Sequence, residues 1–188
     1  MSFVKFYQKQ VVPELKKQFG YKNDLQVPKI EKVVLNVGLS KGLKDSNYIE
    51  AIESTLTRIS GQKPIKTKAR KSISNFKIRQ GMIIGMKVTL RGKRMYDFVE
   101  KLIKVTLPRV RDFRGLAPKS IDKEGNLNIG IKEHISFPEI KADEIERLHG
   151  LEVAVASTAK SREEGKALFV ALGFPFSEEE KNKREKEK

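Results

Sequence analysis

Alternation of apolar and polar residues with a period of two most restricts how this sequence can fold. In residues 81–92, GMIIGMKVTLRG, every second position from Met82 to Leu90 is apolar, while Lys87, Thr89 and Arg91 fall between them. This period predicts a β-strand with one apolar and one polar face. Similar alternation predicts strands at 30–38, 65–70, 125–132 and 151–158.

Apolar residues spaced three or four apart predict helices between these strands. The first spans residues 3–19, is split or kinked at Pro13 and stops at Gly20. The second begins at a cap on Ser46 or Asn47 and ends at Gly61, and the third, within 93–104, ends before Pro108. A capping box of Ser161 and Glu164 opens the last, which Gly173 closes.

The order of these elements predicts an α+β fold. We expect a mostly antiparallel sheet of about five strands, with helices packed on one face and the other face open. Residues 1–176 are expected to form a single domain. Residues 177–188 hold five Glu and five Lys or Arg, a composition typical of a disordered charged tail.

Positive charge is concentrated in one part of the chain, Ser54–Tyr96, called here the basic window. Its 43 residues contain twelve Lys or Arg and no Asp or Glu, against a net charge of +15 for the whole chain. Such clustering favours an anionic partner, either nucleic acid or a membrane surface. The chain has no Cys, no signal-peptide pattern and no apolar run of membrane-spanning length, so a cytoplasmic location is expected.

Alternation in the basic window suggests how it would bind RNA. We expect Lys66, Lys68 and Arg70 to share the open face with Lys87, Thr89 and Arg91, where cations could follow a phosphate backbone. In the loop SNFKIRQG, residues 74–81, Phe76 could stack on an unpaired base. The alternative is that the cations only keep the sheet soluble. For Phe76 and Ile78, a core contact is an equal alternative.

Two other function classes fit the sequence less well. A DNA-binding protein would carry its cations on a recognition helix or an arm, whereas here they fall on strands and a loop. An RNA-modifying enzyme needs a general base, a metal site or a cofactor loop, and the sequence has no such motif. The two histidines, His134 and His149, are far apart and read as surface or structural residues. We therefore expect no catalytic residue, metal site or cofactor.

Seven segments together resemble one known family along nearly the full chain. They are VPKIEKVVLNVGL, SGQKPIKTKARKSISNFKIRQG, GMKVTLRG, MYDFVEKLI, LPRVRDFRGL, NIGIKEHISFPEI and EEGKALFVALGFPF. In order and spacing they resemble the bacterial large-subunit ribosomal protein five family. The resemblance implies a structural, non-enzymatic ribosomal protein that binds 5S rRNA, beside 23S rRNA, in the central protuberance of the large subunit.

The resemblance also implies three sets of contact residues. One set would bind rRNA: Asn36, Gly38, Ser40, Lys63, Lys66, Thr67, Lys68, Arg70, Lys87, Thr89, Arg91 and Gly92. A second would reach P-site tRNA: Ser74, Asn75, Phe76, Lys77, Ile78, Arg79, Gln80 and Gly81. A third, together with residues 131–140, would face small-subunit protein thirteen in an intersubunit bridge: Arg109, Arg111, Asp112, Phe113 and Arg114.

Two departures from the family pattern affect these expectations. Ser74-Asn75 replaces the usual Ala-Gly before Phe76, which could alter the flexibility of the loop tip. The usual FDGRGN turn reads SIDKEGN at residues 120–126. We expect that turn to form on Gly125, without any contact that the missing Arg would make.

Overall fold

The computed structural model describes residues 3–39, 45–141 and 148–177. Its first helical segment comprises α1 (Phe3–Phe6), a π-helical turn (Tyr7–Val11) and α2 (Val12–Phe19), ended by Gly20 in the left-handed region at φ 69°. The expected split at Pro13 takes the form of a change from π to α hydrogen bonding. Pro13 lies in the first turn of α2, where it has no N–H to donate to the preceding π-helical turn.

Five strands of the described residues form one sheet in the order β2-β3-β1-β5-β4. They are β1 (Ile30–Gly38), β2 (Ile65–Lys68), β3 (Ile83–Leu90), β4 (Leu127–Ile131) and β5 (Leu151–Ser157). An α-helix separates β1 from β2 and β3 from β4, and the predicted α+β fold with an open antiparallel sheet is confirmed. Strand β2 lies at one edge of the sheet, beside β3 alone.

Two helices connect strands, α3 (Ser46–Ser60) and α4 (Gly92–Lys101), and α5 (Arg162–Ala171) follows the last strand. The predicted cap of α3 is wrong, because Asp45 holds that position and its side chain accepts hydrogen bonds from the N–H groups of Asn47 and Tyr48. The capping position of Ser161 on α5 is confirmed by a bond from the Glu164 N–H.

The end of the third predicted helix also differs from expectation. Beyond α4 the helical backbone continues as a π segment, Leu102–Thr106, and a 3₁₀ turn, Leu107–Arg109. The helical backbone therefore does not end before Pro108. This residue lies at the beginning of the 3₁₀ turn, where its nitrogen need not donate a hydrogen bond.

The chain divides into two compact units, each with its own core. Unit 1 comprises residues 1–33, 91–129 and 154–188, and unit 2 comprises 34–90 and 130–153. The aromatic residues Tyr7, Phe98 and Phe169 are buried in unit 1, and Ile52, Met86 and Phe137 are buried in unit 2. The single domain expected for 1–176 stays a prediction, and residues 178–188 of the expected tail lie outside the described residues.

The turn at 122–126 forms as predicted despite its unusual sequence. The Asp122 carboxylate accepts bonds from the N–H groups of Glu124 and Asn126, and Gly125 adopts φ 80°. Helix α5 packs directly against this turn: a Cβ on Gly165 would lie 2.5 Å from the Cα of Gly125. Glycine at both positions is therefore required by the close approach.

Candidate nucleic-acid interface

The register between β2 and β3 decides where the cations of the basic window point. The strands pair antiparallel, with Ile65 opposite Lys87, Lys66 opposite Met86 and Thr67 opposite Gly85. Directly opposed residues share one face of a sheet. Met86 is fully buried on the face that α3 covers, so Lys66 lies on the helix side, and the exposed Ile65 lies on the open side.

The expectation that Lys66 lies on the open face is therefore wrong. Its Nζ lies 2.7 Å from Oε2 of Glu53 on α3, and the Nζ of Lys63 lies 3.6 Å from Oε1 of the same carboxylate. The hydrogen bond from Lys66 is the main cause that lowers the pKa of Glu53, and the charge of Lys63 adds to it. Alternation shows only that Lys66 and Ile65 lie on opposite faces. The register with β3 places Lys66 on the face covered by α3 rather than on the open face.

A bulge separates Lys68 from Lys66. The register shifts after Thr67, so that Lys68 pairs with Ile83, and the following residue, Ala69, is buried. Two backbone hydrogen bonds fix Ala69: its N–H donates to the carbonyl of Met82, and its carbonyl accepts from the N–H of Gly81. Lys68 and Arg70 are exposed, and neither forms an ion pair within the described part of the chain.

Residues 70–82 form a loop beyond β2, called here the basic loop. Ile73 and Ile78 bridge each other across its base through two backbone hydrogen bonds, of 2.9 and 3.1 Å. Phe76 at the tip is 69% exposed, so the alternative of a core contact is excluded for this residue. Ile78 is half-buried. Lys77 follows in the left-handed region, at φ 53°.

The basic loop encloses a groove with donors along its walls. The groove has a volume of about 770 Å³ and is lined by Ser72, Ser74, Lys77, Ile78, Arg79 and Met82. Lys77 and Arg79 are exposed and make no ion pair with any described residue. Their charges, with two hydroxyl groups nearby, suit an anionic ligand such as a phosphodiester.

The open face of unit 2 is less cationic than expected. Exposed Asn36 and Gly38 lie on β1, and exposed Lys87 and Thr89 lie on β3, while most apolar residues of both strands are buried on the opposite side. Gly85 must stay small, because a Cβ there would meet the Thr67 Oγ1 at 2.9 Å. Ser40, also expected here, lies outside the described residues.

In unit 1, Arg91 has an acidic partner of its own. Its Nη1 donates to Oε1 of Glu31 at 3.2 Å, and both side chains are about half exposed. Gly92, the first residue of α4, is exposed and adopts φ 60°. Among the cations assigned to rRNA, Lys63, Lys66 and Arg91 are thus ion-paired, while Lys68, Arg70 and Lys87 have no ion pair with any residue that the structure describes.

The segment expected to face the small subunit also lies in unit 1. Arg109, Arg111, Asp112 and Arg114 are exposed, and Phe113 is half-buried. Asp112 adopts φ 53°, and its carboxylate lies 4.0 Å from Nε of Arg111 at a highly exposed site. The segment is anchored just beyond its end, where the Leu116 N–H donates to the carbonyl of Pro175.

Sequence reasoning missed a buried histidine pair in unit 2. The rings of His134 and His149 stack with centroids 3.9 Å apart, and the His149 N–H donates to Nδ1 of His134. Burial, together with the charge of the neighbouring His134, lowers the pKa of His149 to about 4, and burial also lowers the pKa of His134. A surface or structural role was expected for each; burial excludes the surface alternative, and nothing in their spacing pointed to a pair.

Neither a metal site nor a membrane span is found among the described residues. No group of three or more His, Cys, Asp or Glu side chains in those ranges could hold a metal ion. None of the helices placed there is long and apolar enough to cross a membrane.

Comparisons with known proteins agree on one family. The family model described as "Ribosomal protein L5" matches residues 23–79, and the model for the C-terminal part of the same ribosomal protein family matches residues 83–176. Proteins named "Large ribosomal subunit protein uL5" are similar over nearly the whole chain. That of Ralstonia pickettii is 56% identical over 91% of this chain and 95% of its own length, and that of Symbiobacterium thermophilum is 53% identical over 92% and 96%.

Proposed function

The chain belongs to the ribosomal protein L5 family, and from this premise we propose that it binds 5S rRNA in the central protuberance of the large subunit, with 23S rRNA nearby. Membership itself makes the chain a structural component of the large ribosomal subunit and not an enzyme. It also makes ribosomal RNA and other ribosomal components its partners, on the ribosome in the cytoplasm.

One observation supports the 5S rRNA proposal most directly. Lys68 and Arg70 are exposed at the end of β2 and the start of the basic loop, without ion pairs among the described residues. Each unpaired cation that meets a phosphate releases condensed counterions, which is the main source of affinity for RNA. The edge of the sheet and its adjoining loop, more than its open face, is the surface that these charges favour.

The test replaces two unpaired cations and measures the salt dependence of binding. The double variant Lys68→Gln/Arg70→Gln should weaken binding to 5S rRNA and flatten the slope of log K against log salt by roughly 1.4–1.8, since each phosphate contact contributes about 0.7–0.9. Filter binding over a range of salt around 0.1 M gives both quantities. Duplex DNA as competitor should displace the wild type far less well than unlabelled 5S rRNA does.

A matched control separates position from net charge. Lys160→Gln/Lys166→Gln removes the same charge from exposed sites outside every proposed contact segment. It should leave affinity and slope close to those of the wild type. Equal losses in the two double variants would contradict the proposed interface.

We also propose that the basic loop contacts P-site tRNA through Ser74–Gly81. The exposure of Phe76 at the tip supports this proposal, because an exposed ring can stack on a base.

We propose a third contact, with small-subunit protein thirteen, for Arg109, Arg111 and Arg114 together with the neighbouring Asp112 and Phe113. The exposure and positive charge of the three arginines support a contact with an acidic or RNA-rich surface.

A further inference from the structure

Glu53 is the acidic residue that immediately precedes the basic window in the sequence. The window from Ser54 to Tyr96 contains no acid, but in the folded protein the carboxylate of Glu53 pairs with two of its lysines. Its side chain is 20% exposed, with Lys66 Nζ at 2.7 Å and Lys63 Nζ at 3.6 Å. A single carboxylate therefore faces two ammonium groups that belong to the proposed rRNA interface.

We propose that Glu53 is an internal counter-ion, which an RNA phosphate must displace from Lys63 and Lys66, and that it thereby sets the affinity of the interface. The inference rests on the proposed function and refines it. Lys63 is 83% exposed and Lys66 is 39% exposed at the side chain, so both can be reached from solvent while they are paired. The carboxylate cancels one of the two positive charges in this cluster.

The geometry explains why Glu53 takes this position. Helix α3 buries Ile52, Leu56 and Ile59 in unit 2, which leaves Glu53 at the margin of the buried stripe. The β2–β3 register points Lys66 to the same side of the sheet as α3. An ammonium group placed there by backbone pairing meets Glu53 and no other acid among the described residues.

Removing the carboxylate should therefore tighten RNA binding. Glu53→Gln keeps the shape of the side chain and raises the cluster charge by one, which should steepen the salt slope by about 0.7–0.9. At 0.1 M salt the same change in slope corresponds to roughly a five- to eightfold gain in affinity. The matched control is Glu50→Gln, which removes an exposed carboxylate one turn earlier on α3 that has no ion pair in the described structure.

A double variant of the two lysines tests whether the effect of Glu53→Gln depends on them. In the Lys63→Gln/Lys66→Gln variant Glu53 has no ammonium group to release, so adding Glu53→Gln should change affinity no more than Glu50→Gln does. Melting curves that match the wild type's would establish that each variant is folded. The measurements use the full chain, with 5S rRNA in one arm and single-stranded poly(U) in the other.

The outcomes separate this inference from the proposed function. Tighter binding of Glu53→Gln to both RNAs, with the gain absent from the lysine double variant, is the expected result. A loss of affinity, no change, or a gain no larger than that of Glu50→Gln would overturn the counter-ion role. If the wild type did not prefer 5S rRNA over poly(U), the proposed function would fail, and the poly(U) arm would still test Glu53.

Discussion

His134 and His149 illustrate how burial changes the chemistry of an ordinary side chain. Both rings lie in the core of unit 2, at 3% and 8% exposure, and stack within 6° of parallel. Nε2 of His149 is buried without a hydrogen-bond partner in the described structure. Such a ring is stable only when neutral, because a charged imidazolium would be desolvated without compensation.

We predict that this pair makes the protein sensitive to mild acid. The pKa of His149 falls from 6.5 to about 4 on folding, so the unfolded chain takes up a proton first as the pH falls. Stability is then lost from about pH 6.5 downward until the pKa of the folded protein is reached. Urea unfolding at pH 7 and pH 5 should differ by about 2 kcal/mol from this residue alone.

His149→Phe is the corresponding control. It retains a flat ring beside His134 while it removes both the titration and the unpaired nitrogen. The variant should lose most of the difference in free energy of unfolding between the two pH values. An unchanged difference would mean that other groups cause the acid sensitivity.

Strand β2 shows how the pairing of an element assigns roles to its residues. We predict that Lys66→Glu lowers the free energy of unfolding more than Lys68→Glu does. Both substitutions change the charge equally, but the first sets a carboxylate against Glu53 in place of an ion pair. Chemical denaturation of the two variants makes the comparison, and equal stabilities would show that Lys66 does not face α3.

Helix α5 packs against the 122–126 turn through two glycines. Gly165→Ala should destabilise the protein by about 1–3 kcal/mol, because its Cβ would meet the Gly125 backbone at 2.5 Å. The usual effect of this substitution within a helix has the opposite sign. Gly130→Ala on β4, where nothing lies within 4 Å of the added Cβ, is the control for the thermal melts. A Gly165→Ala protein as stable as the wild type would contradict this packing.

We predict that the tip of the basic loop contacts tRNA and does not contribute to 5S rRNA binding. Phe76→Ala should weaken the contact with P-site tRNA and leave binding to 5S rRNA unchanged, since the ring is exposed at the tip of the loop. Phe76→Tyr keeps the stacking surface and should retain the contact. Crosslinking to tRNA in reconstituted ribosomes measures the first effect, and a 5S rRNA gel shift measures the second. Loss of 5S binding in Phe76→Ala would overturn the division.

For the whole protein, charge predicts that the C-terminal segment contributes little to RNA affinity. Residues 177–188 hold five Glu and five Lys or Arg, so truncation after Phe176 leaves the net charge of +15 unchanged. Because salt-dependent binding follows the cations that meet phosphates, affinity and salt slope should both match those of the full chain. A shallower slope in the truncated protein would indicate that the segment's lysines contact RNA.

The distribution of charge over the whole chain also explains why the interface could be found early. Twelve cations without an acid in 43 residues is a property of the sequence, and no folding can remove it. Folding can, however, bring acids from outside the window to these cations. Glu53 and Glu31 do so for Lys63, Lys66 and Arg91, which leaves the unpaired cations concentrated near the end of β2 and in the basic loop.

The element order, the approximate strand limits, the α+β class and the family could all be predicted from the order of residues along the chain. These follow from local periodicity and from motifs whose order and spacing run along the chain. Periodicity states that a strand has two faces, but it contains no information about which face a helix will cover. For a four-residue edge strand such as β2, that choice comes from register with its neighbour.

Three features depend on contacts between distant segments: Lys66 pairs with Glu53, Ala69 is buried after a bulge, and two histidines fifteen positions apart stack. Each depends on segments brought together by burial of apolar residues elsewhere in the core. Such contacts are set by the packing of whole elements, so no pattern confined to one segment of the sequence can specify them.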